Sequence, residues 1–142
     1  MADTDRGATL QRALETFIRP DEALIADLGS TFTDDVSVWS PNLSVHGHAE
    51  LIEALAFRLD SFSDVELVID ALDLFGSKGL AEFRVSANFS GAFVLDEDVV
   101  IEPNGRALLL GAAAVAEFDG SRIRAIRAYF DDATLLEQML AE

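Results

Sequence analysis

The first sixty residues show the 3.6-residue hydrophobic period of amphipathic helices, which predicts three helices. The first helix ends at Pro20, because proline cannot continue a helix. The second occupies 21–29, with Gly29 expected as its C-terminal cap. The third follows a turn at 44–48, and a short strand at 34–41 precedes that turn. The apolar stripes of the first and third helices are Leu10, Leu14, Phe17 and Ile18, and Leu51, Ile52, Leu55 and Leu59.

From residue 65 onward the hydrophobic period changes to two, which predicts strands. Four strands follow one another at 65–75, 80–91, 106–118 and 121–131, and a short helix at 133–140 closes the chain. The strand at 80–91 alternates most regularly. Its apolar face contains Ala81, Phe83, Val85, Ala87 and Phe89, and its polar face contains Glu82, Arg84, Ser86, Asn88 and Ser90.

The order of these elements, helices first and then four consecutive strands, predicts the fold class. It indicates an α+β fold in which helices pack on one face of an antiparallel sheet. Long, twisted strands curl around whatever covers their concave face. We therefore expect a curved antiparallel sheet capped by three N-terminal helices, with a short C-terminal helix, enclosing a pocket.

Composition narrows the possible functions. The 142 residues are enough for one domain with its own core, and the absence of cysteine excludes disulfides and cysteine-based sites. The formal charge of −16 repels phosphate backbones and anionic lipids, so neither nucleic acid nor a membrane is expected as a partner. The sequence shows no secretory signal and no spanning segment, so a cytoplasmic protein is expected.

Three segments carry a resemblance to a known family: "FTDDVSVWSP" at 32–41, "HGHAELIEAL" at 46–55, and the stretch from "PNGRALLLG" to "LLEQML" at 103–140. In this order they resemble the SnoaL-like polyketide cyclase group of the nuclear transport factor 2-like superfamily. That superfamily also includes ketosteroid isomerases and limonene epoxide hydrolases. The resemblance implies a single SnoaL-like domain over 1–142, with a cone-shaped α+β fold and a pocket for an apolar small molecule. It also implies a homodimer through the sheet and no cofactor.

Asp131 is the candidate catalytic residue. On a strand it shares a face with Tyr129, whereas Asp132 points the other way. In SnoaL-like cyclases and limonene epoxide hydrolases, an aspartate at the end of the last strand reaches into the pocket as acid or base, and Asp131 matches it. A carboxyl group in an apolar pocket has a raised pKa, which suits proton transfer. The residues alone also allow Asp131 to cap the last helix, a role we assign to Asp132 together with Thr134, which is spaced for a capping box with Glu137.

Further pocket residues follow from the same resemblance. Arg84 is similar in position to the arginine with which epoxide hydrolases orient a carboxylate, although a surface or structural ion pair is its alternative role. Ser86 stands where those enzymes have a second aspartate, and Phe89 stands where SnoaL-like cyclases have a histidine. Val38 and Ser40 occupy the positions at which epoxide hydrolases have a tyrosine and an asparagine that hold the water molecule. The expected pocket residues are Arg84, Ser86 and Asn88 and the aromatic residues Trp39, Phe89 and Tyr129, for which an ordinary place in the hydrophobic core is the alternative.

Two other patterns in the sequence bear on possible sites. His46 and His48 flank Gly47, but two histidines without a third ligand nearby do not predict a metal site, so no metal is expected. The small residues at 111–116 leave volume on a central strand. Side chains from the helices, a dimer partner or a ligand has to fill that volume.

The sequence is therefore consistent with two functions. The first is a pocket protein for a polyketide-, terpenoid- or steroid-like molecule, with Asp131 catalysing isomerisation, cyclisation or dehydration. The second is a dimeric ligand-binding or interaction module without catalysis, which the replaced histidine and second aspartate favour. Epoxide hydrolysis with an incomplete site is a further alternative. The sequence does not decide whether this chain is an enzyme.

Overall fold

The computed structural model describes residues 3–58, 60–96 and 98–141. The helices in this part of the chain are α1 (Asp3–Ile18), α2 (Glu22–Ala26), α3 (Leu28–Thr31), α4 (Gly47–Arg58) and α5 (Asp132–Leu140). The strands are β1 (Phe32–Ser40), β2 (Leu43–His46), β3 (Phe62–Phe75), β4 (Lys78–Phe89), β5 (Phe93–Asp96), β6 (Val99–Ile101), β7 (Ala107–Asp119) and β8 (Arg122–Phe130). None of the described helices is both long enough and apolar enough to span a membrane.

Six of these strands form one curved sheet in the order β2-β1-β8-β7-β4-β3. The α+β class is confirmed, but the prediction of a purely antiparallel sheet is wrong, because β1 pairs with β8 in parallel. The four consecutive strands do pair antiparallel, as expected. The strand β1 joins them from far away in the chain, and hydrophobic periodicity says nothing about the direction of such a long-range pairing.

The helices cover one face of this sheet, which we call the inner face; the opposite face is the outer face. Leu10 and Leu14 of α1 and Leu51 and Leu55 of α4 are buried against it, as their stripes predicted. Ile52, assigned to the same stripe, is exposed instead. Leu59, the last residue assigned to that stripe, lies outside the described residues. The inner face of β4 is the predicted apolar face, from Ala81 to Phe89, so its alternation is confirmed.

The segment at 21–29 differs from its prediction. It forms two short helices, α2 and α3, and Asp27 rather than Gly29 ends the first of them. Gly29 lies inside α3. A glycine cap is favoured where the backbone takes a positive φ, and the positive-φ glycines of the described chain are elsewhere.

One irregularity decides which side chains of β8 face inward. Phe118 pairs with Ile123, but the preceding Glu117 pairs with Ala125, so Arg124 is an extra residue in β8. Such a β-bulge shifts the side-chain alternation by one position. Ile123 therefore faces inward before the bulge, and the even-numbered residues from Ile126 to Phe130 face inward after it.

A hairpin of β5 and β6 lies between β4 and β7 in the chain, although those two strands are direct neighbours in the sheet. Phe93 and Ile101 of the hairpin pack with Phe89, Leu108 and Met139 in a second, smaller hydrophobic cluster. This cluster holds α5 against one end of the curved sheet, next to a cavity between the helices and the inner face.

Candidate functional site

A cavity of about 490 Å³ lies between the helices and the inner face of the sheet. Its walls are almost entirely apolar. The buried wall residues include Leu14, Phe83, Ala114 and Ile126. The other apolar wall residues include Phe17, Ile18, Val38, Leu43, Leu55, Phe62, Val65, Val85, Phe93, Leu108, Leu110, Phe130 and Leu135.

Small side chains leave the space for this cavity. Ala54 of α4, Ala87 of β4, Ala114 of β7 and Ala128 of β8 all line it. A cavity bounded by alanines has room that a leucine or phenylalanine at the same position would fill. The volume expected beside the small residues at 111–116 is therefore present on the inner face, and side chains from the helices do not fill it completely.

The polar groups of the cavity lie at one end of it. Arg6, near the start of α1, donates hydrogen bonds to the carbonyls of Gly76 and Gly120, which lie in the β3–β4 and β7–β8 turns. The other end of α1 therefore lies where β1 and β8 end and β3 begins. We call this the polar end of the cavity, and its residues are Arg19, Ser40, Asn42, Ser63 and Asp64.

Ser40 and Asn42 form a hydrogen-bonded pair at the polar end. Ser40 is buried, and its Oγ donates to Oδ1 of Asn42 at 3.0 Å. Nδ2 of Asn42 in turn donates to Oδ1 of Asp132 at 3.5 Å. This chain of bonds connects the turn after β1 to the first residue of α5. Hydroxyl and amide groups placed in this way can bind a neutral polar group of a ligand.

Asp64 also lines the polar end, but its carboxylate is bound elsewhere. Its backbone has a φ of 51°, and Oδ2 accepts a hydrogen bond from Nδ2 of Asn88 at 3.0 Å. Asn88 belongs to the polar face of β4, which is the outer face of the sheet. The carboxylate is therefore directed towards the outer face and away from the cavity.

Asp131 does not lie in the cavity, so the prediction for its position is wrong. Its exposed carboxylate caps α5 and accepts hydrogen bonds from the backbone N and the Oγ1 of Thr134. These bonds, led by the one from the Thr134 hydroxyl, lower the pKa of Asp131, whereas a pocket acid needs a raised pKa. The cap assigned to Asp132 and Thr134 is wrong as well, since Asp132 is the first residue of the helix.

The expected pocket residues of β4 also lie elsewhere. Arg84 is exposed on the outer face, where Nε and Nη2 each bond to a carboxylate oxygen of Asp70 at 2.9 Å. This ion pair, the alternative considered for Arg84, raises its pKa and lowers that of Asp70. Ser86 and Asn88 share the outer face with it, and Phe89 is completely buried in the second cluster. These four residues do not line the cavity.

Trp39 and Tyr129 meet on the outer side of the sheet. Their ring centroids are 5.4 Å apart, and Trp39 also reaches the edge of the cavity. Tyr129 does not line it, because the bulge at Arg124 places Ala128 and Phe130 inward instead. Of the residues predicted for the site, Trp39 is the one that the structure brings to the cavity.

The two positions compared with epoxide hydrolases do lie at the cavity. Val38 and Ser40 of β1 line it, as the resemblance implied, although they are not tyrosine and asparagine. Sequence reasoning missed Arg19, Asn42 and Asp64. No periodic signal marks them, because each lies just beyond the end of a helix or strand or at an irregular position within one.

The two histidines have separate partners. Nδ1 of His46 lies 3.2 Å from Oγ of Ser37, and Nε2 of His48 lies 3.2 Å from the carbonyl of Phe32. Within residues 3–58, 60–96 and 98–141, no three His, Cys, Asp or Glu side chains lie close enough together to hold a metal ion.

Comparison with solved structures gives matches along nearly the whole chain. A provisionally assigned SnoaL-like polyketide cyclase from Jannaschia sp. CCS1 has a TM-score of 0.84 at 16% identity, over 98% of this chain and 94% of that one. TsrD from Streptomyces laurentii has a TM-score of 0.80 at 17% identity, over 100% and 99% of the two chains. A LEH-like epoxide hydrolase from M. tuberculosis has a TM-score of 0.68 at 17% identity, over 96% and 90%.

No family model matches the sequence, and no curated protein matches it either. At these identities a structural match shows the fold alone, and the same fold carries several unrelated functions. The chain therefore has the cone-shaped α+β fold of SnoaL-like polyketide cyclases and nuclear transport factor 2-like proteins, as its sequence motifs had indicated.

Proposed function

We propose that this chain binds a small, largely apolar molecule in the cavity beneath α1 and α4. The observation that carries the proposal is the cavity of about 490 Å³ with apolar walls. Ligand sites in proteins have volumes of about 300–1,000 Å³ and mostly hydrophobic linings, with a few polar groups that orient the ligand. A polyketide-, terpenoid- or steroid-like ring system suits this volume and these walls.

We favour binding over proton-transfer catalysis, whether isomerisation, cyclisation or dehydration. Proton transfer needs an acid or base within hydrogen-bond reach of the bound molecule. Among the described residues that line the cavity, the titratable ones are Arg19 and Asp64, both exposed at its polar end. Asp131, the expected acid or base, caps α5 outside the cavity. The same geometry argues against epoxide hydrolysis, which needs a carboxylate to activate water.

The test is a binding titration with the neutral fluorophore N-phenyl-1-naphthylamine. We expect saturable fluorescence enhancement with the wild-type chain. Ala54→Phe places a ring in the cavity and should weaken binding by about tenfold or more, because the probe and the ring compete for one volume. Ala56→Phe is the matched control: Ala56 lies on the same helix but is exposed, so binding should not change.

Circular dichroism should show that both variants keep the wild-type fold. The proposal would be overturned if the wild-type chain showed no saturable binding. It would equally be overturned if Ala54→Phe and Ala56→Phe had the same affinity for the fluorophore, since binding would then lie outside the cavity.

We also propose that the outer face of the sheet binds a second copy of this chain. Gly111 and Leu109 of β7 are exposed at its centre, and Val68 of β3 is exposed nearby. The arginines on this face have partners within the chain: Arg84 pairs with Asp70, and Arg127 with Glu117. A face with small and apolar side chains and internally paired arginines suits sheet-on-sheet packing.

Light scattering after size-exclusion chromatography tests this homodimer. We expect a dimer for the wild-type chain and a monomer for Gly111→Arg, which places a long charged side chain in the middle of the outer face. Gly29→Arg is the control, because Gly29 is exposed on α3 and a Cβ atom added there would meet nothing within 4 Å. A monomeric wild-type chain would rule out the proposed dimer.

A further inference from the structure

Among the described residues, few cations lack a partner within the chain. It has 26 acidic residues and 10 basic ones. Most arginines described in the structure are bound within the chain, either to carboxylates or to backbone carbonyls. These bound arginines are Arg6, Arg12, Arg84, Arg122, Arg124 and Arg127.

Arg19 differs from them. It follows the last residue of α1 and lies at the polar end of the cavity, where its side chain is exposed. Its backbone N donates to the carbonyl of Glu15, but its guanidinium has no hydrogen bond or ion pair within the described part of the chain. The polar end is the mouth of the cavity, since Arg19, Ser63 and Asp64 are exposed there. In a protein with such an excess of acids, an unpaired guanidinium at this mouth is available to a ligand.

Among the described residues that line the cavity, no carboxylate pairs with this charge. Asp64 is the other charged lining residue at the polar end, and its carboxylate is bound to Asn88 on the side of the outer face. Asp132 does not line the cavity, and its Oδ1 accepts a hydrogen bond from Asn42. The net charge of −16 opposes an anion at long range. However, at physiological ionic strength charges are screened over about 8 Å, so the local cation dominates close to the cavity mouth.

The cavity is therefore apolar in its interior and cationic at its mouth. We infer that its ligand is an apolar molecule with a carboxylate or another anionic head group, which Arg19 binds at the polar end. This inference rests on the proposed binding function. The apolar body occupies the space between Leu14, Phe83 and Ile126. The head group stays at the mouth, where the guanidinium can donate two parallel hydrogen bonds to it.

The test uses two probes of equal chain length, dodecanoate and dodecan-1-ol, each displacing N-phenyl-1-naphthylamine. Arg19→Gln should weaken dodecanoate binding by about three- to fivefold, as expected for an ion pair at an exposed site, and leave dodecanol binding unchanged. Arg19→Lys should keep part of the dodecanoate affinity, because it retains the charge without the planar fork. Arg106→Gln is the control, since Arg106 is exposed, has no side-chain partner among the described residues and does not line the cavity.

The outcomes separate this inference from the proposed function. If dodecanol binds and Arg19→Gln leaves dodecanoate affinity unchanged, or weakens both probes equally, the anionic head group is wrong but the apolar site stands. The same holds if Arg106→Gln weakens dodecanoate as much as Arg19→Gln does. If neither the fluorophore nor either probe binds the wild-type chain, the proposed function fails and the inference fails with it.

Discussion

Thr134 donates two hydrogen bonds to the carboxylate of Asp131, from Oγ1 to Oδ2 at 2.8 Å and from its backbone N to Oδ1 at 3.1 Å. The two residues close the first turn of α5. Both bonds are made to the ionised carboxylate, so they hold its pKa below the ordinary value for aspartate. Asp131 therefore stabilises a helix as an anion and is not available as an acid near neutral pH.

Asp131→Ala should lower the free energy of unfolding at neutral pH, and Asp131→Asn should retain most of it, because asparagine caps helices about as well as aspartate. Because the folded-state pKa is lowered, the contribution of the anion is present above the unfolded-state pKa. It is lost as pH falls through the folded-state pKa. Urea unfolding between pH 7 and about pH 3 measures this loss. An unchanged stability of Asp131→Ala would contradict the cap.

Glu117 gives a second pH dependence of the same sign. Arg127 lies 2.6 Å from its carboxylate and is the main cause of its lowered pKa, with Arg124 on its other oxygen. Glu117→Gln should therefore be less stable than the wild-type chain at neutral pH. The difference should shrink as pH falls below about 4.5, where the unfolded chain begins to protonate. A difference that does not change with pH would show that this ion pair does not stabilise the fold.

Adjacent residues of β4 test the division between the two faces of the sheet. Val85→Phe adds a ring inside the cavity and should weaken fluorophore binding by about tenfold. Ser86→Phe adds the same ring on the outer face and should leave the affinity within about twofold. Equal effects of the two substitutions would mean that β4 does not form the cavity wall.

Two glycines of neighbouring strands should respond oppositely to alanine. A Cβ at Gly79 would lie 3.0 Å from Cδ2 of Leu10 and 3.2 Å from Cε2 of Phe118, so Gly79→Ala should cost about 1–3 kcal/mol of stability through overpacking. Gly111 has nothing within 4 Å of such a Cβ. In the monomeric state, Gly111→Ala should be neutral, or should stabilise by about 0.4–1 kcal/mol through the unfolded state. Urea unfolding of both variants gives the comparison.

Asn104 holds the end of α5. Its Nδ2 donates to the carbonyls of Gln138, Met139 and Ala141 at 3.0–3.1 Å, and its Oδ1 accepts from the backbone N of Arg106. Asn104→Ala should cost about 1–3 kcal/mol in thermal or urea unfolding, because these groups lose their partner. Asn104→Asp should be worse than Asn104→Ala, since it places a negative charge beside the negative end of the helix dipole. The reverse order would contradict this role.

Hydrophobic periodicity correctly predicted side-chain burial where the position of a residue in a regular helix or strand decides which face it lies on. The alternation of β4 correctly assigned Phe83 and Val85 to the inner face, and the resemblance correctly brought Val38 and Ser40 to the pocket. The position of Asp131 was predicted wrongly for two physical reasons. The single extra residue at Arg124 decides the faces of β8, and it is visible only in the pairing with β7. The N-terminal cap of α5 was assigned to Asp132 instead of Asp131, because either aspartate is chemically suited to cap a helix.

The polar end of the cavity could not be predicted from local patterns either. Arg19 and Asn42 follow the ends of α1 and β1, and they meet there only because β1 pairs with β8 in parallel. That pairing joins segments about ninety residues apart in the sequence. A hydrophobic pattern records whether a residue is buried, but not which distant residue lies beside it.

The bulge in β8 determines which set of its side chains faces the cavity. With Arg124 present, Ile126, Ala128 and Phe130 face the cavity, and Tyr129 faces the surface. If Arg124 instead paired regularly with Glu117, the two sets would exchange, and Arg127 and Tyr129 would face the ligand. An apolar container and a site lined with a phenol and a guanidinium thus differ by one strand irregularity in a chain of unchanged sequence. In a fold that hosts both binders and enzymes, a change of strand pairing offers a route between them that leaves every wall residue unsubstituted.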